Sequence, residues 1–96
     1  MKFKIFSVYD DKAKAYLPPF FLPEVGMAVR AFKDCVNDPG HNFGKHPADY
    51  TLFQCGAFDD RTGLFDVSGS LEVVAHGVEL RDSNPQGVLM LSAEVN

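Results

Sequence analysis

The chain opens on alternation. Lys2, Phe3, Lys4 and Ile5 alternate strictly between polar and apolar, and Phe6, Val8 and Tyr9 continue in β-forming residues. A period of two is the spacing of a strand with distinct faces. Phe3 and Ile5 fall on one face and Lys2 and Lys4 on the other. Phe6 and Val8 continue the lysine face, so that face is only partly solvated. Asp10-Asp11-Lys12 reads as a polar turn, and Lys14–Leu17 as the returning strand of a hairpin. Pro18-Pro19 then stops regular pairing, because proline has no N–H to donate. Phe20-Phe21-Leu22 is apolar and extended, placed to cover the core or an interface.

From Pro23 the period lengthens. Val25, Val29, Phe32 and Val36 recur at helical spacing, Ala28 and Cys35 widen the stripe, and Arg30, Lys33 and Asp34 fall opposite. This predicts a helix over Pro23–Asn37, with Pro23 in its first turn and Glu24 at the positive end of its dipole. Gly26 costs about 1 kcal/mol relative to alanine in a helix interior, which suggests close packing at that point. Asn37-Asp38-Pro39-Gly40 ends the helix, and His41–Ala48 reads as a loop. Tyr50–Phe58 is too apolar and aromatic to face water on both sides, and is expected to be the central strand. Asp59-Asp60-Arg61-Thr62-Gly63 has the chemistry of a hairpin turn, and Leu64–Val67 is the partner strand. Ser68-Gly69-Ser70 breaks it. Leu71–Leu80 is a weaker β-like run interrupted by Gly77. Val88–Leu91 is apolar but short, and fits an added edge strand or a mobile end equally well.

The resulting order is strand, strand, helix, strand, strand, then weak C-terminal strands. It predicts an α+β fold, a small antiparallel sheet with one helix packed on one face, in a single domain over residues 1–80 followed by a tail over 81–96. One helix covers one face. The second face, expected to carry Phe6, Val8 and half of the central strand's apolar residues, then needs another layer. A second copy of the chain is the simplest one, so a homodimer or higher homo-oligomer is expected.

Composition narrows the class. Of 96 residues, 46% are hydrophobic and 23% charged, which excludes global disorder. Nine Phe and three Tyr allow a small core to be built from few, large side chains. The net charge of −4 argues against generic nucleic-acid binding, but the positive residues concentrate in the first half and the acidic ones in the second. Cys35 and Cys55 form no disulfide framework and read as reduced thiols. No apolar run approaches the ~20 residues of a membrane span, and nothing resembles a signal peptide, so a soluble intracellular protein with no membrane partner is expected.

Candidate chemistry is sparse. His41, His46, Cys35 and Cys55 match no compact metal-ligand spacing, so no metal is expected. Asp49, Asp59, Asp60 and Asp66 could pair as carboxylates, but turn chemistry accounts for Asp59 and Asp60. Gly40–Gly44 lacks the Gly-Lys-Ser/Thr ending of a phosphate loop, and no hydroxyl or thiol has an identifiable base. No catalytic residue and no cofactor is assigned, and the chain is not expected to be an enzyme. The most suggestive polar set is Lys2, Lys4, Lys12 and Lys14 near Phe6, Tyr9 and Tyr16. Lysines beside aromatics on a sheet can serve as a platform for single-stranded nucleic acid. Composition alone favours the plainer reading, an edge strand protected by lysine.

Several motifs carry a family resemblance. Val8-Tyr9-Asp10, Ala15-Tyr16-Leu17-Pro18-Pro19-Phe20-Phe21, Ala31-Phe32, Cys35-Val36-Asn37-Asp38-Pro39, His46-Pro47-Ala48-Asp49-Tyr50-Thr51-Leu52-Phe53, Gly56, Phe58-Asp59-Asp60 and Thr62-Gly63 occur in this order. Over about Lys2–Val67 the chain resembles the small nonstructural protein of gokushovirus-type microviruses, phages with single-stranded DNA genomes. The resemblance implies a non-capsid protein acting in the host bacterial cytoplasm, associated with DNA and with genome replication or packaging. It supplies no catalytic residues. On this reading the candidate DNA-binding residues are Lys2, Lys4, Phe6, Tyr9, Lys12, Lys14 and Tyr16. The alternative is a dimeric module that binds a phage or host protein, such as a replication protein, with Phe20, Phe21 and Leu22 as candidate interface.

Overall fold

The computed structural model of the chain describes residues 1–69 and 71–82. Two long strands form its centre, β1 (Lys2–Asp10) and β4 (Tyr50–Asp59), antiparallel from Lys2↔Asp59 to Asp10↔Tyr50. The outer edge of β1 takes two short strands, β2 (Ala15–Tyr16) and β3 (Phe20–Leu22). The outer edge of β4 takes β5 (Leu64–Asp66) and β6 (Glu72–His76). The result is a six-stranded sheet, antiparallel in every pairing, that is four strands wide. Helix α1 (Val25–Val36) lies on it, with two single-turn helices, α2 (Asn42–Lys45) and α3 (Gly77–Leu80), and a 3-10 turn at Pro47–Asp49. The architecture is α+β. It contains a third strand before the helix and short helices within His41–Ala48 and after β6, where the sequence suggested extended or loop chain. The expected strand at Val88–Leu91, and most of the 81–96 tail, lie outside the described residues.

The core forms where the helix stripe meets the sheet. Ala28, Phe32 and Val36 of α1 pack with Phe6, Val8, Tyr50 and Leu52, and Phe6, Val36 and Leu52 are wholly buried. This corrects the expectation that Phe6 and Val8 belong to the uncovered face. The helix covers the side on which Lys2, Lys4, Phe6 and Val8 alternate, and the uncovered side carries Phe3 and Ile5. Burying Phe6 and Leu52 removes two of the larger side chains from water, worth about 1.5–3 kcal/mol each.

One irregularity sets what each face carries. Ile5 pairs with Gly56 but Phe6 pairs with Gln54, so Cys55 is an extra residue on β4. A bulge of this kind reverses side-chain parity along the strand. Before it, Tyr50 and Leu52 face the helix and Phe53 faces away. After it, Ala57 and Asp59 take the helix side, and Phe58 joins Phe53 on the open side. A second shift, between Leu52↔Ala75 and Phe53↔Val73, leaves Val74 extra on β6, and Val74 packs against the core.

Turns are closed by local hydrogen bonds. Asp10 Oδ1 accepts from the Lys12 and Ala13 N–H groups at 3.0 and 3.2 Å. Asp59 Oδ1 accepts from Arg61 N–H at 2.9 Å, and Gly63 adopts φ +75°, a left-handed conformation that glycine tolerates. Gly44 has a different reason to lack a side chain. A Cβ there would fall 1.9 Å from the Asp38 carbonyl oxygen. At Gly26 nothing lies within 4 Å of such an atom, so close packing is not what that glycine serves.

These two glycines give opposite expectations. Gly44→Ala should lower unfolding stability by about 1–3 kcal/mol through steric overlap. Gly26→Ala should raise it by about 0.4–1 kcal/mol by restricting the unfolded chain. Urea denaturation of both variants checks the pair.

Candidate functional site: the open sheet face

The face turned away from α1 is built from alternate positions of every strand. By register it carries Phe3, Ile5, Ser7 and Tyr9 of β1, with Thr51, Phe53, Gly56 and Phe58 of β4 opposite them. Tyr16, Phe21, Phe65, Val73 and His76 join from the four edge strands. None of these is an acid, a lysine or an arginine. The charged strand residues Lys2, Lys4, Asp10, Asp59, Asp66 and Glu72 all sit at helix-side positions.

Aromatic rings gather at the two ends of this face. At one end Phe21, Phe58 and Phe65 meet edge-on or tilted, with centroids 4.9–6.1 Å apart. At the other, Tyr16 lies 4.8 Å from Tyr9 and 5.5 Å from Phe53. Both spacings suit the edge-to-face and tilted geometries that aromatic quadrupoles favour. Between the clusters the sheet carries only Ile5, Ser7, Cys55 and Gly56, and a groove of about 630 Å³ opens there. Ser7 is buried because its Oγ donates to the Leu17 carbonyl oxygen at 2.6 Å, which pins the β2–β3 connector along the sheet edge.

The structure separates the candidate DNA-binding residues. Phe6 is 0% exposed beneath α1 and has no face for a base to stack on. It is a core residue, which corrects its place among the DNA-binding candidates. Lys2 and Lys4 share that helix side, at the far end of β1 from the hairpin turn. Lys2 is flanked by acids: it pairs across β4 with Asp59 and contributes, after two hydrogen bonds from Ser68, to holding the Asp66 carboxyl below its usual range. Tyr9 and Tyr16 do come together, at the end of the sheet where the β1–β2 turn presents Lys12 and Lys14. Lys14 has φ +56° and places Nζ 3.2 Å from Asp11 Oδ1, and this pairing raises its pKa. Two lysines and two aspartates share that turn, so its field is weak. Of the candidate interface residues, Phe20 and Leu22 turn toward the core, and Phe21 alone points outward, 42% exposed.

Phe53, Phe58 and Phe65 belong to the open face and were not among the candidates. In a regular strand Phe53 and Phe58, five apart, would face opposite ways. The signal for their alignment is Gly56, since glycine inside an aromatic strand often marks a bulge.

Other reactive groups are dispersed. Among the described residues, no three His, Cys, Asp or Glu side chains gather as a metal site would require. His41 Nδ1 accepts from the Phe43 N–H at 3.0 Å, and His76 Nδ1 lies 3.1 Å from Thr51 Oγ1. Asp60 binds the N-terminal ammonium at 2.7 Å. Cys35 and Cys55 are both free and half-buried, and burial pushes both thiols up, with Asp34 and Asp38 adding to the effect at Cys35.

Residues 3–80 match the protein family described as Phage ORF5 protein. The chain belongs to this family. It is therefore a phage protein, and the matched segment includes all three helices and all but the first residue of the sheet. No curated protein and no solved structure matches the chain. Among the described residues, no helix is long and apolar enough to cross a membrane.

The raised thiol pKa values have a direct consequence. A higher pKa leaves less thiolate at neutral pH, so alkylation of Cys35 and Cys55 by iodoacetamide should be slower in the folded protein than in urea. The folded rate should also keep rising above pH 9. Rates by mass spectrometry across pH 7–10 check this, and folded rates equal to those in urea would contradict it.

Proposed function

We propose that this phage protein is a nonstructural, DNA-associated protein of the gokushovirus type, acting in the host cytoplasm on single-stranded DNA during genome replication or packaging. The observation that carries this reading is the Tyr9–Tyr16–Phe53 cluster beside the Lys12/Lys14 turn. Tyr16 is 46% exposed, and the three rings offer apolar surface to unpaired bases at the end of the open face beside the Lys12/Lys14 turn. The ordered motifs shared with the microvirus proteins and the phage family membership support the same reading.

The chemistry is that of a stacking platform rather than an electrostatic groove. Base–aromatic stacking contributes about 1–3 kcal/mol per base and tolerates any sequence. Phosphate contacts add little, because Asp10 and Asp11 offset Lys12 and Lys14. Binding is then weak and its salt dependence shallow, on the order of 0.7 per phosphate contacted.

Fluorescence anisotropy with oligo(dT), titrated at several salt concentrations, tests the assignment. Tyr16→Ala should weaken binding by at least about 5-fold, as expected for one lost stacking contact. Lys12→Ala with Lys14→Ala should flatten the salt slope, whereas Lys2→Ala with Lys4→Ala should change neither. Absence of binding at low salt, or binding unchanged in Tyr16→Ala, would overturn the proposal.

A further inference from the structure

We infer that the Phe21–Phe58–Phe65 end of the open face is a docking surface for a second copy of this chain, the aromatic ridge of each copy entering the groove of the other. The inference goes beyond the DNA reading and does not depend on it.

Three features converge. The first is shape. The ridge and the groove lie side by side on one face: Ile5, Ser7 and Cys55 floor the groove, Phe21 and Phe65 form one bank, and Tyr16 stands on the other. A two-fold interface requires one patch that complements itself, in which residue i of one copy meets residue j of the other and the reverse. A ridge adjacent to a groove satisfies this. Rotation about an axis between them lays each ridge in the opposite groove.

The second is chemistry. Phe65 is 60% exposed and Val67 62%, although both border an apolar groove. The strand positions of this face include no acid, lysine or arginine, and aromatic enrichment with loss of charge marks the centre of protein interfaces. A nucleic-acid groove would need cations here, and the nearest of them belong to the opposite face or the opposite end.

The third is area. Nine residues of β1 and four strands across give a face about 30 Å by 19 Å. Two-thirds of that flat footprint is about 400 Å², below the ~600 Å² per partner of the smaller stable interfaces, so the dimer is a weak one that forms and dissociates with concentration. Tyr16, on the far bank, borders the contact, while Tyr9 and Phe53 are not among the residues that line the groove.

Sedimentation velocity of the full chain from about 1 to 200 μM tests the inference, together with the alkylation rate of Cys55 at each concentration. The expected result is a dimer whose dissociation constant rises at least about 30-fold in Phe65→Lys. The protection of Cys55 beyond that of the folded monomer should be lost on dilution, while Cys35 on α1 reacts at a constant rate. Phe65→Lys also removes the ring contacts with Phe21 and Phe58 within one copy, so its melting profile is recorded alongside. Val67→Lys serves as a second variant should Phe65→Lys misfold. A monomer throughout the range would overturn the inference, as would a dimer indifferent to both substitutions. A Cys55 alkylation rate unchanged between monomer and dimer would also overturn it, because the groove would then be open in the dimer.

Discussion

The pairing of β1 with β4 is the constraint on which the rest depends. It joins the first residues of the chain to the middle, and every other strand is hydrogen-bonded to one of these two. The core forms on one side of this pair because Phe6, Val8, Tyr50 and Leu52 fall there together, and α1 has its apolar stripe to set against them. Two short helices seal the ends of that layer. Phe43 of α2 lies 5.6 Å from Phe32 and 4.4 Å from Tyr50, and Leu80 of α3 packs on the same cluster. Asn37 ties the layer together at the helix C-terminus: its Nδ2 donates to the Leu80 carbonyl and its Oδ1 accepts from Asp82 N–H.

With the helices all on one side, the two faces of the sheet divide the labour. The covered face tolerates charge at its ends, where Lys2, Lys4, Asp59 and Asp66 reach water past the helix layer. The open face has no charge on its strands and is held by ring–ring contacts instead. Such contacts leave much of each ring accessible: Tyr16, Phe21 and Phe65 are 46%, 42% and 60% exposed.

Much of the fold was legible in the sequence. The β1 alternation, the α1 stripe, the apolar central strand and the Asp-Asp-Arg-Thr-Gly turn each state their element through period or turn chemistry. Which face the helix would choose was not legible. Phe3 and Ile5 alternate as cleanly as Phe6 and Val8, and the choice is made by partners on β4 nearly 50 residues away. The short strands β2 and β3 and the single-turn helices were also obscure, since two to four residues give no period to read. At the candidate site, Tyr9 and Tyr16 were visible as hairpin neighbours. Phe6 was misplaced because alternation shows that residues share a face without showing whether that face is covered. Phe53, Phe58 and Phe65 were missed because their alignment depends on a bulge.

That bulge makes the open face a product of residue counting as much as of residue type. Cys55 is one residue more than a regular ladder holds, and the bulge absorbs it so that Gln54 and Gly56 meet consecutive residues of β1. With the same residues in a regular, unbulged strand Phe58 would turn toward the helix side and Ala57 and Asp59 outward, whereas a chain lacking Cys55 would need no bulge and would keep Phe53 and Phe58 on one face. The face is therefore kept by a bulged spacing of five between Phe53 and Phe58, or by a regular spacing of four, and is lost only where the extra residue is present and the bulge is not.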